Sequence, residues 1–293
     1  MAHIQSLLDP SAPAECLDFS VSALPLAISH NNIGVMSRAI RRLPTKQTGE
    51  VRFFRNQIRN WWKDNRRDFP WRRNAEPYNW LIAELMLRRT RATQVAPVYE
   101  AFVREFPAPE YLAAADGEVV AALLRPLGLA WRVPAFKQLA LRIVSEHGGQ
   151  VPREREALLA LPGVGDYVAE AVRCFGFGHA VAIVDANTVR VAARFFGFEF
   201  NPESRRNKEV RARVGQLLDA IRPAESNLAL LDFAASICQP IRPLCECCPV
   251  ASRCAWRQAT LRRKRSAPSY SGATVRCASP SGGRWASPAA PSL

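Results

Sequence analysis

Two carboxyl residues in this sequence are suited by their surroundings to opposite protonation states. Glu84 interrupts the apolar run WLIAELML, where burial favours the protonated form. Asp185 ends the stretch AVAIVD, and Asn187 then opens the helical pattern TVRVAARFF. An aspartate there is most simply a helix cap, and a helix N-terminus also favours its charged form. One carboxyl kept protonated and one kept ionised is the pairing used in glycoside cleavage, where a leaving group needs a proton and a cationic, sugar-like transition state needs an anion. Asn187 either orients Asp185 or belongs to the cap.

Between these two lies LPGVGDY, residues 161–167. Pro162 and Gly163 end one helix, and Gly165 is expected to take a positive φ before the next. A turn lacking Cβ atoms brings its backbone N–H groups close to a phosphate, and the following helix N-terminus adds its dipole. Gly-containing turns also join helices for geometry alone.

Cys238, Cys245, Cys248 and Cys254 follow the spacing C-x6-C-x2-C-x5-C. Clustered cysteines in a chain without an export signal point to metal ligation rather than disulfides, and four thiolates suit either an iron–sulfur cubane or tetrahedral zinc. Cys247 complicates the choice of third ligand. Cys174 reads as a small core residue and His179 as a loop or packing residue.

The elements that must position these groups are almost all helical. Val51, Phe54, Ile58, Trp61 and Trp62 recur at helical steps, DFPWRRNAEP interrupts, and Tyr78 to Thr90 resumes as an apolar helix. Further helices are expected at 92–105, 117–126, 133–146, 154–161, 167–176, 187–196, 206–220 and 226–238. AVAIV at 180–184 is the best strand signal, and it is short. The 293 residues contain no apolar run long enough to span a membrane and no export signal, so the cytoplasm is the default. Residues 1–50 hold four bases and four acids and residues 257–293 seven bases and no acid, which leaves +7 of the +14 formal charge on residues 51–256. A basic central region suits a partner rich in phosphate.

RRDFPWRRNAEPYNWLIAELMLRRT, LPGVGDY, VDANTVRV and the four-cysteine cluster together resemble the helix-hairpin-helix DNA glycosylases of the endonuclease III superfamily, over roughly residues 50–256. The resemblance implies an all-α fold of two helical lobes with a DNA-binding cleft between them. Residues 77–184 would form a six-helix barrel lobe carrying the hairpin, and residues 50–76 with 185–256 an iron–sulfur cluster lobe. Residues 1–49 are expected to be a poorly ordered extension and 257–293 a basic disordered tail. It also implies a monomer acting on mismatched or damaged double-stranded DNA in base excision repair, in a bacterial nucleoid, without a membrane.

By the same resemblance Asp185 stabilises the oxocarbenium ion and steers the attacking water, and Glu84 serves as acid or water-positioning group. Leu161, Gly163, Val164 and Gly165 form the hairpin that grips phosphates, and Arg242 in the loop IRPL faces another. Arg88 or Arg89 enters the space left by the flipped base, or contacts the opposite strand or a phosphate. Recognition of a thymine methyl would need an apolar wall, for which Leu81, Ile82, Leu85 and Tyr167 are the candidates. The cysteines are implied to hold a [4Fe–4S] cluster, with zinc as the alternative.

Tyr167 stands where strand-cleaving members carry a lysine, and no lysine lies between residues 138 and 207. Hydrolysis without lyase chemistry is therefore expected. Arg88 and Arg89 in LRRT align better with the branch that removes thymine or uracil opposite guanine than with the adenine branch, which usually has a further C-terminal domain; only 39 residues follow Cys254. Adenine removal opposite guanine or oxidised guanine is the alternative, and a noncatalytic DNA-binding protein the second.

Overall fold

The computed structural model describes residues 48–266; all but the last two residues of the proposed N-terminal extension and most of the C-terminal tail lie outside them, and Thr48 and Gly49 belong to a helix. Helix α1, Thr48–Asn65, turns its apolar stripe inward through Phe54, Ile58 and Trp62. After a 3₁₀ turn at Pro70–Arg72, α2 runs over Pro77–Leu87. Pro77 at its first position pre-sets the helical φ, and eight of its eleven residues are buried, so it is a central rather than a surface helix. It stops at Leu87, short of the expected Thr90, because Arg88 is extended (ψ 107°) and Arg89 takes a left-handed backbone at φ 66°.

Helices α3 (Ala92–Glu105), α4 (Pro109–Ala114), α5 (Gly117–Leu124) and α6 (Val133–His147) follow. The sequence pattern missed α4, whose six residues are too few to display a period. α7 (Arg155–Ala160) and α8 (Asp166–Ala171) flank the glycine turn, and α8 continues as a π-turn over Val172–Gly176. α9 (Ala186–Phe196), α10 (Lys208–Gln216), α11 (Pro223–Ser236) and α12 (Ala255–Ser266) complete the described chain. The expected tail thus starts later than residue 257: the basic run 262–265 extends a helix whose Ala255 Cβ is 2.8 Å from where a Cβ on Gly197 would stand. None of these helices is long and apolar enough to cross a membrane.

AVAIV forms no strand. Among the described residues it has no partner strand, and two of its backbone groups go to one buried side chain instead: Asn227 on α11 accepts from Ile183 N at 3.0 Å and donates to Val181 O at 2.9 Å. Asn227 also donates to Pro223 O, which anchors the extended segment to the first turn of α11.

The buried apolar residues form two cores. The first draws on α2 to α8 and ends at Ile183; the second combines Phe54, Ile58 and Trp62 of α1 with Val184 and the helices after it. Phe69 and Trp71, which the sequence division grouped with α1, pack in the first core, their rings stacked 4.8 Å apart. The chain passes between cores at Ile183–Val184, so Asp185 stands just after the seam. Asp232, fully buried on α11, ties the cores together by accepting from Trp62 Nε1 at 2.9 Å and from both Arg72 terminal nitrogens at 2.8 and 3.0 Å.

Candidate active site

The glycines form the turn between α7 and α8, with one revision. Gly163, not Gly165, carries the positive φ (78°); Gly165 is extended (φ −111°, ψ −179°) and caps α8. Leu161 and Val164 are buried at 3% and 8% exposure and pack into the first core, so their side chains are structural. Gly163 and Gly165 are exposed, and Arg88 donates to Gly163 O at 3.0 Å, fastening the end of α2 to the turn.

Gly165 and Tyr167 line a pocket of ≈ 710 Å³ together with Asp185, Val184, Val168, Asp166 and five arginines: Arg88, Arg155, Arg205, Arg206 and Arg211. That volume accommodates a nucleotide. Arg155 pairs with Asp166 and, at 3.0 Å, with Glu170, which braces the first turn of α8.

Asp185 is the N-cap of α9 in a capping box. Its Oδ1 accepts from Asn187 N at 2.9 Å and Thr188 N at 2.8 Å, and its Oδ2 from Asn187 Nδ2 at 2.7 Å. Asn187 does not line the pocket; its Oδ1 accepts from Arg190 Nη1 at 2.9 Å, which fixes the amide orientation toward Asp185. The cap and the positioned carboxylate are one arrangement.

Glu84 lies behind the pocket, buried in α2 at 4% exposure. Burial pushes its carboxyl up to about 8, the nearby Asp185 adds to the rise, and Arg72 and a hydrogen bond with the Tyr167 hydroxyl oppose it. Tyr167 is itself raised well above its ordinary value, first by burial and then by Glu84 and Asp185. The Glu84 carboxyl, the Tyr167 phenol and the Asp185 carboxyl therefore influence one another electrostatically, Tyr167 and Asp185 lining the pocket and Glu84 lying behind it. Leu81 does not join them: it is fully buried in the first core, because α2 is apolar on every side. Arg89 and Arg242 are exposed and do not line the pocket.

Arg155, Arg205, Arg206 and Arg211 were missed from sequence. Their only signal was membership of an arginine-rich chain; the 3₁₀ turn Pro202–Arg206 and the Asn207 cap of α10 bring three of them to the pocket.

A residue-range match to the HhH-GPD superfamily of base excision DNA repair proteins spans residues 82–217, from α2 through the hairpin and Asp185 to the end of α10. A thymine/uracil-DNA glycosylase of Methanothermobacter thermautotrophicus is 38% identical over 204 residues, covering 69% of this chain and 92% of that protein. The chain belongs to the HhH-GPD superfamily. It is accordingly a DNA glycosylase, a hydrolase of base excision repair. A human adenine DNA glycosylase is 35% identical over 223 residues, but the match spans only 41% of that protein's length. The solved structure of a thermostable thymine-DNA glycosylase superposes with a TM-score of 0.67 at 36% identity, covering 72% of this chain and 97% of that one.

The second group of this glycosylase's candidate residues surrounds a different pocket. Cys238, Cys245, Cys248 and Cys254 all line it and are free thiols, whereas Cys247 does not line it. Among the described residues, no three His, Cys, Asp or Glu side chains are gathered tightly enough to hold a single metal ion. Arg194 donates to Cys238 Sγ at 3.5 Å and to the carbonyls of Gln239 and Pro240, and Arg190 donates to Cys238 O at 2.9 Å. Arg190 thus joins the first cysteine to Asn187 and, through it, to Asp185. Cys174 is fully buried beside Asn227, as a core residue. His179 lies in a loop, its ring 6.4 Å from that of Phe177.

Proposed function

We propose that this glycosylase removes thymine or uracil opposite guanine by hydrolysis alone. The observation that carries the reading is the mutual influence of Glu84, Tyr167 and Asp185 at a basic pocket beside the hairpin glycines. A mismatched pair is already weakened, so extruding its base costs less than extruding a paired one. With the flipped nucleotide in the pocket, the arginines neutralise its flanking phosphates. Asp185 stabilises positive charge at the anomeric carbon and orients water toward it, while protonated Glu84 assists the departing base or holds that water. The glycosidic bond breaks with its electron pair going to the base, and water supplies hydroxyl to the sugar while its remaining proton makes good the one the base takes up.

Tyr167 supplies no amine, and no lysine lines the pocket among the described residues. No Schiff base forms, and the product is an intact strand with an abasic site. The choice of base is supported by Arg88 and Arg89 at the end of α2 and by relatives named for thymine and uracil that match over most of their length. Duplexes carrying G·T, G·U, A·G and adenine opposite oxidised guanine, developed with and without alkali, test both points. Strand breaks on G·T and G·U after alkali only are expected. Breaks without alkali overturn the hydrolytic reading, and cleavage confined to the adenine duplexes overturns the base assignment.

The four cysteines fit a [4Fe–4S] cluster. Zinc gathers all four sulfurs about 2.3 Å from one point, whereas a cubane takes one thiolate at each of four separate irons, as thiols spread round a shared pocket do. When bound, such a cluster would pin the loop after α11 to α9 and α12, with Arg194 hydrogen-bonded to one of its sulfur ligands. Anaerobically purified protein is expected to contain four irons and four sulfides per chain; stoichiometric zinc without iron contradicts the assignment.

A further inference from the structure

Glu170 places a carboxylate in the interior of the hairpin, on α8 and only 7% exposed. Its Oε1 accepts from Arg155 Nε at 3.0 Å and its Oε2 from Arg173 Nη1 at 3.0 Å. It thereby joins the first residue of α7 to the π-turn that continues α8. Stability alone gives no reason for a charge at this place, because a buried ion pair is often no better than apolar residues of the same volume. What a fixed carboxylate supplies is direction. Arg155 Nε and Nη2 form one edge of the planar guanidinium, and Glu170 and Asp166 take up that edge. Asp166 is 64% exposed and screened by solvent, so the firm anchor is Glu170. Nη1 makes no bond among the described residues, and Arg155, 33% exposed, lines the basic pocket.

A guanidinium held by one edge, with its remaining nitrogen left at a pocket wall, is arranged to donate to an anion. We propose that Arg155 binds a phosphate of the strand whose nucleotide enters the pocket, through Nη1, and that Glu170 is the positioning residue that aims it. This rests on a DNA strand entering the basic pocket but not on which base is removed. Glu170 itself touches no DNA. Its effect on binding is therefore opposite in sign to its charge: an acid near a phosphate site repels DNA, whereas this one strengthens the contact by fixing the arginine that makes it.

The test measures dissociation constants from about 50 to 200 mM salt, on a duplex bearing a tetrahydrofuran abasic analogue opposite guanine, with melting temperatures of the same preparations. Arg155→Gln removes the contact, and Glu170→Leu/Arg173→Leu removes its brace without changing the net charge. Both are expected to bind about 10-fold more weakly and to show a salt slope shallower by about 0.9, the value for one phosphate. A purely structural role for Glu170 lowers the melting temperature of the double variant and leaves its slope at the wild-type value, which overturns the proposal. A wild-type slope in Arg155→Gln overturns it too. Glu170→Ala decides the matter if the double variant does not fold: loss of the brace weakens binding, and tighter binding, as removal of an acid alone produces, contradicts the positioning role. A wild-type protein whose affinity does not fall with salt overturns the entry of a DNA strand into the pocket together with the proposal.

Discussion

Glu84→Gln raises the melting temperature of the protein at pH 8 and above while leaving it nearly unchanged at pH 5. The carboxyl, ordinarily at 4.5, is held near 8 in the folded protein, chiefly by burial. Below 4.5 it is protonated in both folded and unfolded chains and costs nothing. As pH rises from 4.5 toward 8 the unfolded chain loses this proton and the folded one keeps it, so stability is progressively lost, and the loss levels off above 8. Glutamine is neutral throughout and of nearly the same shape, and it still accepts the Tyr167 hydroxyl. The variant should therefore gain at most about 5 kcal/mol over wild type at alkaline pH.

The same substitution removes a proton donor from the site, so base release falls. General acid–base assistance contributes about 10²–10⁴-fold, and a pyrimidine leaving group places the loss at the lower end, about 10²-fold. The wild-type rate should decline above pH 8 as Glu84 ionises beside Asp185, and that decline should be missing in the variant. Thermal melts and single-turnover rates across pH 5–9 check both statements. A melting difference that is the same at every pH shows that Glu84 does not titrate as described.

Much of this site was readable because its chemistry is local in the chain. The environment of Glu84 is declared by its own neighbours, since a helix that is apolar on all sides must bury whatever lies in it. Asp185 is declared by the cap that it forms. Helix α3 begins and ends where its period predicted, at residues 92 and 105, for the same reason. The strand at 180–184 failed because a β-rich composition cannot reveal that its hydrogen bonds go to Asn227, more than forty residues away. Leu81 failed because periodicity cannot tell a pocket wall from a core position within a wholly buried helix. The wrong glycine was given the positive φ because either spacing allows a turn, and contact between Gly163 and Leu85 is a tertiary fact. The arginines of the pocket were hidden in a chain that has 35 of them, and only folding selects five.

Asp185 carries the account, and its replacement by asparagine isolates charge from structure. Asparagine ranks with aspartate as an N-cap and its Oδ1 accepts the same Asn187 and Thr188 amides. Its new amide nitrogen faces Asn187 Nδ2, which Arg190 holds in place, so one hydrogen bond worth about 1 kcal/mol is lost and the fold survives. The decisive measurement is single-turnover release of uracil from a G·U duplex by Asp185→Asn, with melting temperature and duplex affinity recorded on the same preparation. A rate at least 10²-fold to 10³-fold lower, with stability and affinity little changed, is the result predicted for an anion facing the anomeric carbon. A rate within a few-fold of wild type would contradict it.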